Sequence, residues 1–166
     1  MINYMDYETE IGIVRLAEHN GKICHLDMAD DDFAGNKTET PILRQALREL
    51  EEYLKGGRKE FDIPLEMNGT EFQKQVWEEL RRVPYGTTAT YGEIASRIGR
   101  ARACRAVGGA AGSNRILIFI PCHRIIGSDG SLTGFGGGLP LKKTLLELEG
   151  VSCEDMRTEV ETECEK

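Results

Sequence analysis

Hydrophobic and polar residues alternate along two short segments near the start of the chain. Residues 11–16 and 22–28 flank Asn20-Gly21, and an Asn-Gly pair between two alternating segments is typical of a tight β-hairpin turn. The alternation returns at residues 61–67, which predicts another strand. We therefore expect a small β-sheet in this part of the protein.

Between these segments the apolar residues follow a helical pattern. After an acidic loop at 29–39, they recur every three or four positions up to Leu54. Thr40 can cap this helix, Pro41 suits its first position, and Gly56-Gly57 can end it. The first 68 residues are thus predicted to form an α+β domain.

From Gly69 onward the pattern becomes mainly helical. Thr70 with Gln73, and Thr90 with Glu93, form capping boxes that open two helices. Three helices are predicted, over residues 71–82, 91–98 and 101–112. The last two are short and separated by a Gly turn, which is typical of a helix-turn-helix.

The remaining chain contains one apolar run, one helix and an acidic tail. Residues 116–120 are all apolar and are interpreted as a buried strand that Pro121 ends. A final helix is predicted over residues 140–149. Residues 151–166 hold six acidic side chains without apolar periodicity, so we expect this tail to be disordered.

Composition indicates an ordinary globular protein of 166 residues, 40% of them hydrophobic. No apolar run approaches the length of a membrane span, of roughly 18 residues, and the first ten residues do not resemble a signal peptide. A cytoplasmic protein without a membrane partner is expected. Five cysteines without disulfide-framework spacing fit free thiols in a reducing compartment. Adjacent Cys24 and His25 lack two further ligands at matching spacing, so no metal site is expected.

Charge is distributed unevenly along the chain. The net charge is −7, yet residues 72–124 contain nine basic and three acidic side chains, a local charge of +6 that leaves −13 for the rest. Eight of the nine basic residues are arginines, which suit phosphate contact, although a basic stretch can also be a solvated face. We interpret this segment as a DNA-facing surface.

Cys122 is the main candidate for chemistry. It follows the apolar run and Pro121, and His123 is its neighbour. A thiolate is a strong nucleophile near neutral pH. A free cysteine has a pKa of about 8.5 and is mostly protonated at that pH, so another group has to remove its proton. The alternative is an inert cysteine at the edge of a core.

The helix predicted at 101–112 is rich in Ala and Gly. It lacks the large polar side chains that usually read base edges. Such a helix can approach DNA closely without reading sequence. Small residues also suit close packing between helices, so the Ala and Gly content alone does not distinguish a DNA-binding helix from a packed one.

The ordered set of motifs resembles the O6-alkylguanine-DNA alkyltransferase family. The resemblance is specific over about residues 70–150 and general over the first 68. It is carried by the following segments: Ala103-Cys104-Arg105-Ala106-Val107-Gly108-Gly109-Ala110, Asn114, Pro121-Cys122-His123-Arg124-Ile125-Ile126, Gly134-Phe135-Gly136-Gly137-Gly138 and Leu145-Leu146-Glu147-Leu148-Glu149-Gly150.

The resemblance implies an α+β fold with three parts. A small sheet-plus-helix domain would span 1–68, a mainly helical domain like a winged helix-turn-helix would carry the active-site cysteine at 69–150, and the acidic tail would follow at 151–166. The partner would be double-stranded DNA containing O6-alkylguanine, bound by a monomer.

The resemblance also implies a relay in which Cys122 acts through a water on His123, with Glu149 orienting the imidazole. Asn114 would brace the turn before the active site, Tyr91 would act at the flipped nucleotide, and Lys142 would lie near the pocket. The substrate pocket would include Phe135, Gly136 and Ile125. Phe135 stands where the family usually has tyrosine, and Gly136 where serine is common.

For DNA binding, the resemblance places Arg105 in the base stack after a nucleotide is flipped out through the minor groove. The further DNA-binding residues expected are Tyr91, Arg102, Ala103, Gly108 and Arg124. The Cys122 thiolate would attack the alkyl carbon on guanine O6 and form a thioether, so the protein would act once, without metal or organic cofactor. The alkyl sizes accepted, and activity on O4-alkylthymine, stay open.

Two other classes of function compete with this interpretation. A cysteine protease or acyltransferase would use Cys and His but would not need the arginine-rich helices. A DNA-binding regulator or an alkyltransferase-like lesion sensor would need the helices but not Cys122.

Overall fold

The computed structural model describes residues 1–30, 32–154 and 156. The chain divides into two compact units, Met1–Asn68 and Gly69–Lys166. Within the described residues, none of the helices has the length and apolar character needed to cross a membrane. The mixed fold, a sheet unit followed by a mainly helical unit, confirms the predicted α+β class.

The first unit is a four-stranded sheet with one long helix. The strands run in the spatial order β3-β2-β1-β4, antiparallel except where β4 joins β1 in parallel. Asn20 and Gly21 form the predicted hairpin turn with positive φ angles of 53° and 78°. The elements are β1 Ile2–Thr9, β2 Gly12–His19, β3 Lys22–Met28, β4 Asn36–Lys37 and α1 Pro41–Leu54.

Two strand assignments differ from the sequence prediction. Strand β1, which was not predicted, pairs along its whole length with β2. Residues 61–67, which were predicted as a strand, make only one bridge, between Ile23 and Leu65. The backbone N–H of Ile23 donates to Pro64 O and that of Glu66 to Ile23 O, at 2.9 and 2.8 Å. Pro64 has no N–H to donate, which limits any longer ladder.

Helix α1 begins where predicted. Thr40 is its N-cap and Pro41 its first residue, but within the described residues the Thr40 side chain makes no capping hydrogen bond. Leu43 and Leu50 on the inner face are fully buried. The helix is therefore stabilised by packing of its apolar face rather than by its cap.

In residues 69–154 and 156, the part of the second unit that the structure describes, there are four α-helices, one 3-10 helix and one short two-stranded sheet. Both predicted capping boxes are present, Thr70 with Gln73 and Thr90 with Glu93. Trp77 Nε1 donates to Ala110 O at 2.8 Å. This hydrogen bond joins the helix Glu71–Arg81 to the helix Cys104–Gly112. The elements are α2 Glu71–Arg81, β5 Ala89–Thr90, α3 Tyr91–Arg97, α4 Cys104–Gly112, the 3-10 helix Cys122–Arg124, β6 Ile125–Ile126 and α5 Leu139–Leu148.

Helix α4 begins three residues later than predicted, at Cys104. Ala103 is its N-cap, with a backbone outside the helical region and without a side chain that could cap. Because residues 98–103 form the turn between α3 and α4, the predicted helix-turn-helix is present with a longer turn.

The interpretation of residues 116–120 as a strand is wrong. The segment is a buried turn in which Leu117 bridges to Ile120 and the N–H of Ile120 donates to Ile116 O at 3.0 Å. Ile118 has a φ of 71°, which is rare for a β-branched residue and stores strain. Burial explains the apolar run, since all five side chains are at most 4% exposed.

The short sheet brings the start of α3 to the 3-10 helix. Ala89 pairs with Ile125 and Thr90 with Ile126, in parallel. Tyr91 directly follows β5, and Arg124 directly precedes β6. Two segments more than 30 residues apart in sequence are therefore neighbours at the candidate active site.

Candidate active site

Cys122 is the first residue of the 3-10 helix and is 4% exposed. Asn114 Nδ2 lies 3.1 Å from Cys122 Sγ and also donates to Ile120 O at 3.1 Å. Asn114 Oδ1 accepts from the N–H of Ile116 at 2.8 Å. One amide side chain thus spans both ends of the strained turn and places an N–H donor at the sulfur, where it favours the thiolate.

His123 is completely buried next to Cys122. Its Nε2 lies 2.7 Å from Glu149 Oε2. Burial lowers the pKa of the imidazole, and this outweighs the opposite effect of Glu149; the Arg124 and Lys142 charges lower the pKa further. The ring is therefore neutral near pH 7 and can accept a proton.

Arg124 does not occupy the DNA-binding position expected from the sequence. It is 5% exposed, and its guanidinium donates to both carboxylate oxygens of Glu149 at 2.9 and 3.0 Å. Its Nη1 donates to Val83 O at 2.7 Å. The reason is the adjacent buried carboxylate, which needs a cation to offset its desolvation. Arg124 is therefore buried against Glu149 and is not exposed toward a DNA phosphate.

Glu149 is the C-cap of α5, and its carboxylate is fully buried. It accepts hydrogen bonds from His123, from Arg124 and from the backbone N–H of Gly86, the last at 3.1 Å. Gly86 has a φ of 79°, and a Cβ there would lie 3.1 Å from Glu149 O. Glycine is thus required for this close approach. Gly86 is not among the site residues predicted from the sequence.

Lys142 on α5 is a buried cation beside the nucleophile. Its side chain is fully buried, and Nζ donates to Thr133 O at 3.1 Å. Burial lowers the pKa of Lys142 to about 8, while the negative charges of the Cys122 and Cys153 thiolates would raise it. The Lys142 ammonium and a thiolate at Cys122 would therefore stabilise each other.

Tyr91 lies at the start of α3 and is 4% exposed. Its hydroxyl forms a short hydrogen bond with Thr133 Oγ1. Thr133 is fully buried and contacts Lys142 as well. Sequence analysis did not select Thr133, and the only signal was its position before the Gly-rich loop at 134–138.

The residues expected to form the substrate pocket lie around these groups. Phe135 is half-buried, and its ring centroid lies 6.4 Å from that of His123 in an edge-on arrangement. Gly136 is exposed in the loop before α5. Ile125 is 1% exposed and belongs to β6, directly after the 3-10 helix. Their contacts with a base stay a prediction.

The residues expected to bind DNA, apart from Tyr91 and Arg124, lie on α4 or just before it. Arg105 is the second residue of the helix and is exposed, as is Arg102 in the preceding turn. Ala103 and Gly108 are partly buried. The helix buries Val107, Ala110 and Ala111 on its opposite face, so the arginine-bearing face is turned away from the core.

The sequence analysis also considered a metal site at Cys24 and His25, in the part of the chain that the structure describes. There, no group of three or more His, Cys, Asp or Glu side chains is arranged to bind a metal ion. The His25 ring packs against Phe33 with centroids 4.9 Å apart.

Comparisons with known proteins cover both units. Residues 2–67 match the model of the 6-O-methylguanine DNA methyltransferase ribonuclease-like domain, and residues 71–151 match that of the DNA binding domain of the same family. The chain belongs to the 6-O-methylguanine DNA methyltransferase family. The family resemblance noted in the sequence is thereby confirmed.

The similarity between this methyltransferase family member and its relatives extends over almost the whole chain. It is 46% identical over 153 residues to the methylated-DNA--protein-cysteine methyltransferase of Mycolicibacterium paratuberculosis, covering 90% of this chain and 93% of the relative. It is 43% identical over 162 residues to the Haemophilus influenzae protein of the same name, covering 94% and 90%.

Solved methyltransferase structures have the same fold. Mycobacterium tuberculosis O6-methylguanine methyltransferase matches with a TM-score of 0.84 and 41% identity, covering 93% of this chain and 97% of that one. Mycobacterium tuberculosis OGT in complex with DNA matches with a TM-score of 0.82 and 44% identity, covering 89% and 92%.

Proposed function

We propose that this protein repairs DNA directly, by transferring an alkyl group from O6 of guanine to Cys122. The observation that carries the proposal is the buried arrangement of Cys122, Asn114, His123 and Glu149, next to a helix-turn-helix with exposed arginines. The family membership supports the same reaction, because its curated relatives are named methylated-DNA--protein-cysteine methyltransferases.

The chemistry follows from the charges around the thiol. Neutral His123 accepts the Cys122 proton through a water, and Glu149, itself neutralised by Arg124, keeps the imidazole oriented. The Asn114 N–H and the Lys142 ammonium stabilise the thiolate. The thiolate displaces guanine from the alkyl carbon, and Tyr91 supplies a proton to the leaving base.

The substrate has to leave the duplex for this attack, since guanine O6 is inaccessible to a protein nucleophile within the base stack. We propose that α4 enters the minor groove and that Arg105 fills the space left by the flipped nucleotide. Arg102, Ala103, Tyr91 and Gly108 would line the same interface. Phe135, Gly136 and Ile125 would form the base pocket.

The product determines that each molecule acts once. A thioether has no carbonyl for water to attack, so Cys122 stays alkylated, and the reaction uses no cofactor. We further propose that the protein acts as a monomer on double-stranded DNA in the cytoplasm.

The test is mass spectrometry of the intact protein after incubation with a duplex that contains one O6-methylguanine. We expect one methyl group per chain, located on the peptide that contains Cys122. The same duplex with unmodified guanine is the control and should leave the mass unchanged.

Other results would favour the competing classes. Binding to the modified duplex without any mass change would favour a lesion sensor. Acylation of Cys122 by activated esters without transfer from DNA would favour an acyltransferase. Either result would overturn the proposed repair reaction.

A further inference from the structure

The turn that follows α2 contacts both charges of the buried ion pair at the candidate active site. Val83 O accepts from Arg124 Nη1 at 2.7 Å, and the N–H of Gly86 donates to Glu149 Oε1 at 3.1 Å. The Arg124 guanidinium also lies over the ring of Tyr85, 5.8 Å from its centroid. A single turn, at residues 83–87, therefore holds the arginine and the carboxylate together.

The sequence of the 83–87 turn fixes its backbone locally. The N–H of Thr87 donates to Pro84 O at 3.1 Å, and the Thr87 hydroxyl donates to the same oxygen at 2.8 Å. Gly86, the third of the four residues closed in this way, has a φ of 79°, as a type II turn requires. Because the turn is closed by its own residues, Val83 O and the Gly86 N–H point in fixed directions.

Tyr85 is the side chain of this turn that covers the ion pair. It is partly buried, whereas Arg124 is 5% exposed and the Glu149 carboxylate is fully buried. Its hydroxyl lies 3.4 Å from the carbonyl oxygen of Leu148, the residue before Glu149. An aromatic face attracts a guanidinium, and more strongly where water is excluded. Tyr85 therefore both attracts Arg124 and shields the ion pair from water.

We propose that Tyr85, together with the backbone of the 83–87 turn, positions the relay formed by Cys122, His123 and Glu149. This inference rests on the repair function proposed above and adds to it the part of the fold that aligns the relay. Tyr85 is a positioning residue, because it acts on His123 through Arg124 and Glu149.

The geometry explains why the position of Arg124 matters for His123. Glu149 Oε2 accepts from both side chains, with His123 Nε2 at 2.7 Å and Arg124 Nη2 at 3.0 Å. Without the Tyr85 ring the guanidinium would be hydrated and free to rotate, and the carboxylate paired with it would move as well. The imidazole would then lose its fixed direction toward Cys122. Misplacing a catalytic group by about 1 Å can slow a reaction roughly a hundredfold.

The charges around His123 predict a second effect, on the pH dependence of transfer. The charged and titratable groups that face its ring come from α5 and from the 3-10 helix: Glu149, Lys142, Arg124 and Cys122. Burial is the main cause that lowers the His123 pKa, and the Arg124 and Lys142 charges lower it further, whereas Glu149 raises it.

Loss of the Tyr85 ring would admit water to this buried site. The pKa of His123 would then rise toward its ordinary value of about 6.5, because burial is reduced and the Arg124 charge is screened. A protonated imidazole cannot accept the Cys122 proton. The decline of the transfer rate on the acidic side should therefore occur at a higher pH than in the wild type.

The test compares Tyr85→Ala with Tyr85→Phe, which keeps the ring over Arg124. Single-turnover methylation of Cys122 by duplex O6-methylguanine is followed as a function of pH, and a titration with unmodified duplex measures DNA affinity. Tyr7→Ala is the matched control, because Tyr7 is also partly buried and its hydroxyl donates to Glu39 at 2.9 Å in the first unit. Thermal unfolding identifies a temperature at which every variant is folded.

A pair of glycine variants tests the backbone of the turn independently of the tyrosine. Gly86→Ala adds a Cβ 3.1 Å from Glu149 O at a φ of 79°. Gly56→Ala has the same backbone cost, at a φ of 82°, but its Cβ meets no atom within 4 Å among residues 1–30, 32–154 and 156. Both variants should lose stability, and only Gly86→Ala should also slow transfer.

We expect Tyr85→Ala to slow transfer roughly tenfold or more near neutral pH and to shift the acidic decline of the rate to higher pH. Tyr85→Phe should keep most of the wild-type rate, and DNA affinity should be unchanged in both. Tyr7→Ala and Gly56→Ala should transfer at the wild-type rate.

Three results would overturn the positioning role of Tyr85. These are a wild-type rate for Tyr85→Ala, a Phe variant as slow as the Ala variant, and a slower rate whose pH profile is unchanged. Failure of the wild-type protein to methylate Cys122 would instead overturn the repair function itself.

Discussion

Two buried arginines, one in each unit, have nearly the same surroundings. Arg15 is 4% exposed and donates to both oxygens of Asp6 at 2.7 and 2.9 Å. Arg124 is 5% exposed and donates to both oxygens of Glu149 at 2.9 and 3.0 Å. Each guanidinium also lies over a tyrosine ring, at 5.1 and 5.8 Å from the ring centroid.

The difference lies in what else the carboxylate contacts. Asp6 is directly opposite Arg15 in the β1–β2 ladder, and the pair fixes the register of a hairpin. Glu149 also contacts His123, beside the nucleophile. The same ion pair is thus structural in one unit and part of the candidate catalytic machinery in the other, because only one carboxylate has a reactive neighbour.

The largest expected effect concerns the nucleophile. Cys122→Ala should abolish alkyl transfer while DNA affinity stays nearly unchanged, because the thiol is buried and forms little of the DNA-facing surface. Intact-protein mass spectrometry and a DNA-binding titration measure the two properties.

Cys24→Ser is the matched control in the first unit. Burial is the main cause that raises the pKa of the Cys24 thiol to about 11, and the nearby Glu66 and Glu18 charges contribute less. This thiol therefore stays protonated and is a poor nucleophile. The control should transfer normally. Transfer to any cysteine in Cys122→Ala would show that the nucleophile is misassigned.

The second prediction separates the two arginines. Arg124→Gln should lower the free energy of unfolding by about 3–5 kcal/mol, because it leaves the fully buried Glu149 charge unpaired. Arg15→Gln should cost less, since the Asp6 side chain is 19% exposed and keeps contact with water. Chemical denaturation measures both.

Activity should distinguish the two variants more sharply than stability. At a temperature where both are folded, Arg124→Gln should slow transfer roughly a hundredfold, because the Glu149–His123 pair loses its alignment. Arg15→Gln should transfer at the wild-type rate. Equal rates for the two variants would mean that Arg124 is as purely structural as Arg15.

The third prediction tests the exposed arginine of α4 against the buried ones. Arg105→Ala should slow transfer from duplex DNA by roughly tenfold or more, because unstacking a base costs a few kcal/mol and Arg105 offsets part of this. Transfer from free O6-benzylguanine should hardly change. Single-turnover kinetics on both substrates measure this difference. Equal slowing on both would mean that Arg105 supports the fold or the base pocket rather than base extrusion.

The smallest expected effect is the pH dependence of stability caused by His123. Its pKa is lowered in the folded protein, so below about pH 6.5 the unfolded chain takes up a proton that the folded chain does not. The free energy of unfolding should fall with decreasing pH, and His123 should contribute at most about 1.4 kcal/mol per pH unit to this fall. His123→Gln should remove that part of the slope in acid denaturation. An unchanged slope would contradict the lowered pKa.

Local signals explain which features the sequence predicted well. The Asn20-Gly21 hairpin and the two capping boxes depend on residues within a few positions of one another, so their geometry follows from the local chain. The candidate nucleophile was also apparent, because Pro121 and His123 flank Cys122 within one motif.

Errors arose where distant residues decide the outcome. Residues 116–120 are apolar because they are buried on every side, and a buried strand and a buried turn have this pattern in common. The contacts that distinguish the turn, such as the Asn114 side chain bridging its two ends, are visible only in the folded chain. Arg124 belongs to a basic stretch in sequence, yet Glu149, 25 positions away, provides a buried partner for it.

The sequence by itself determined the α+β class, the helix-turn-helix and the candidate nucleophile, because local propensity and ordered motifs encode them. The tertiary structure alone decided which charges meet. Pairing of β5 with β6 brings Tyr91 to the 3-10 helix, and α5 places Lys142 against Thr133 and Glu149 against His123. A buried cation or carboxylate is stable only with its partners in position, and that position is a property of the folded chain rather than of spacing along it.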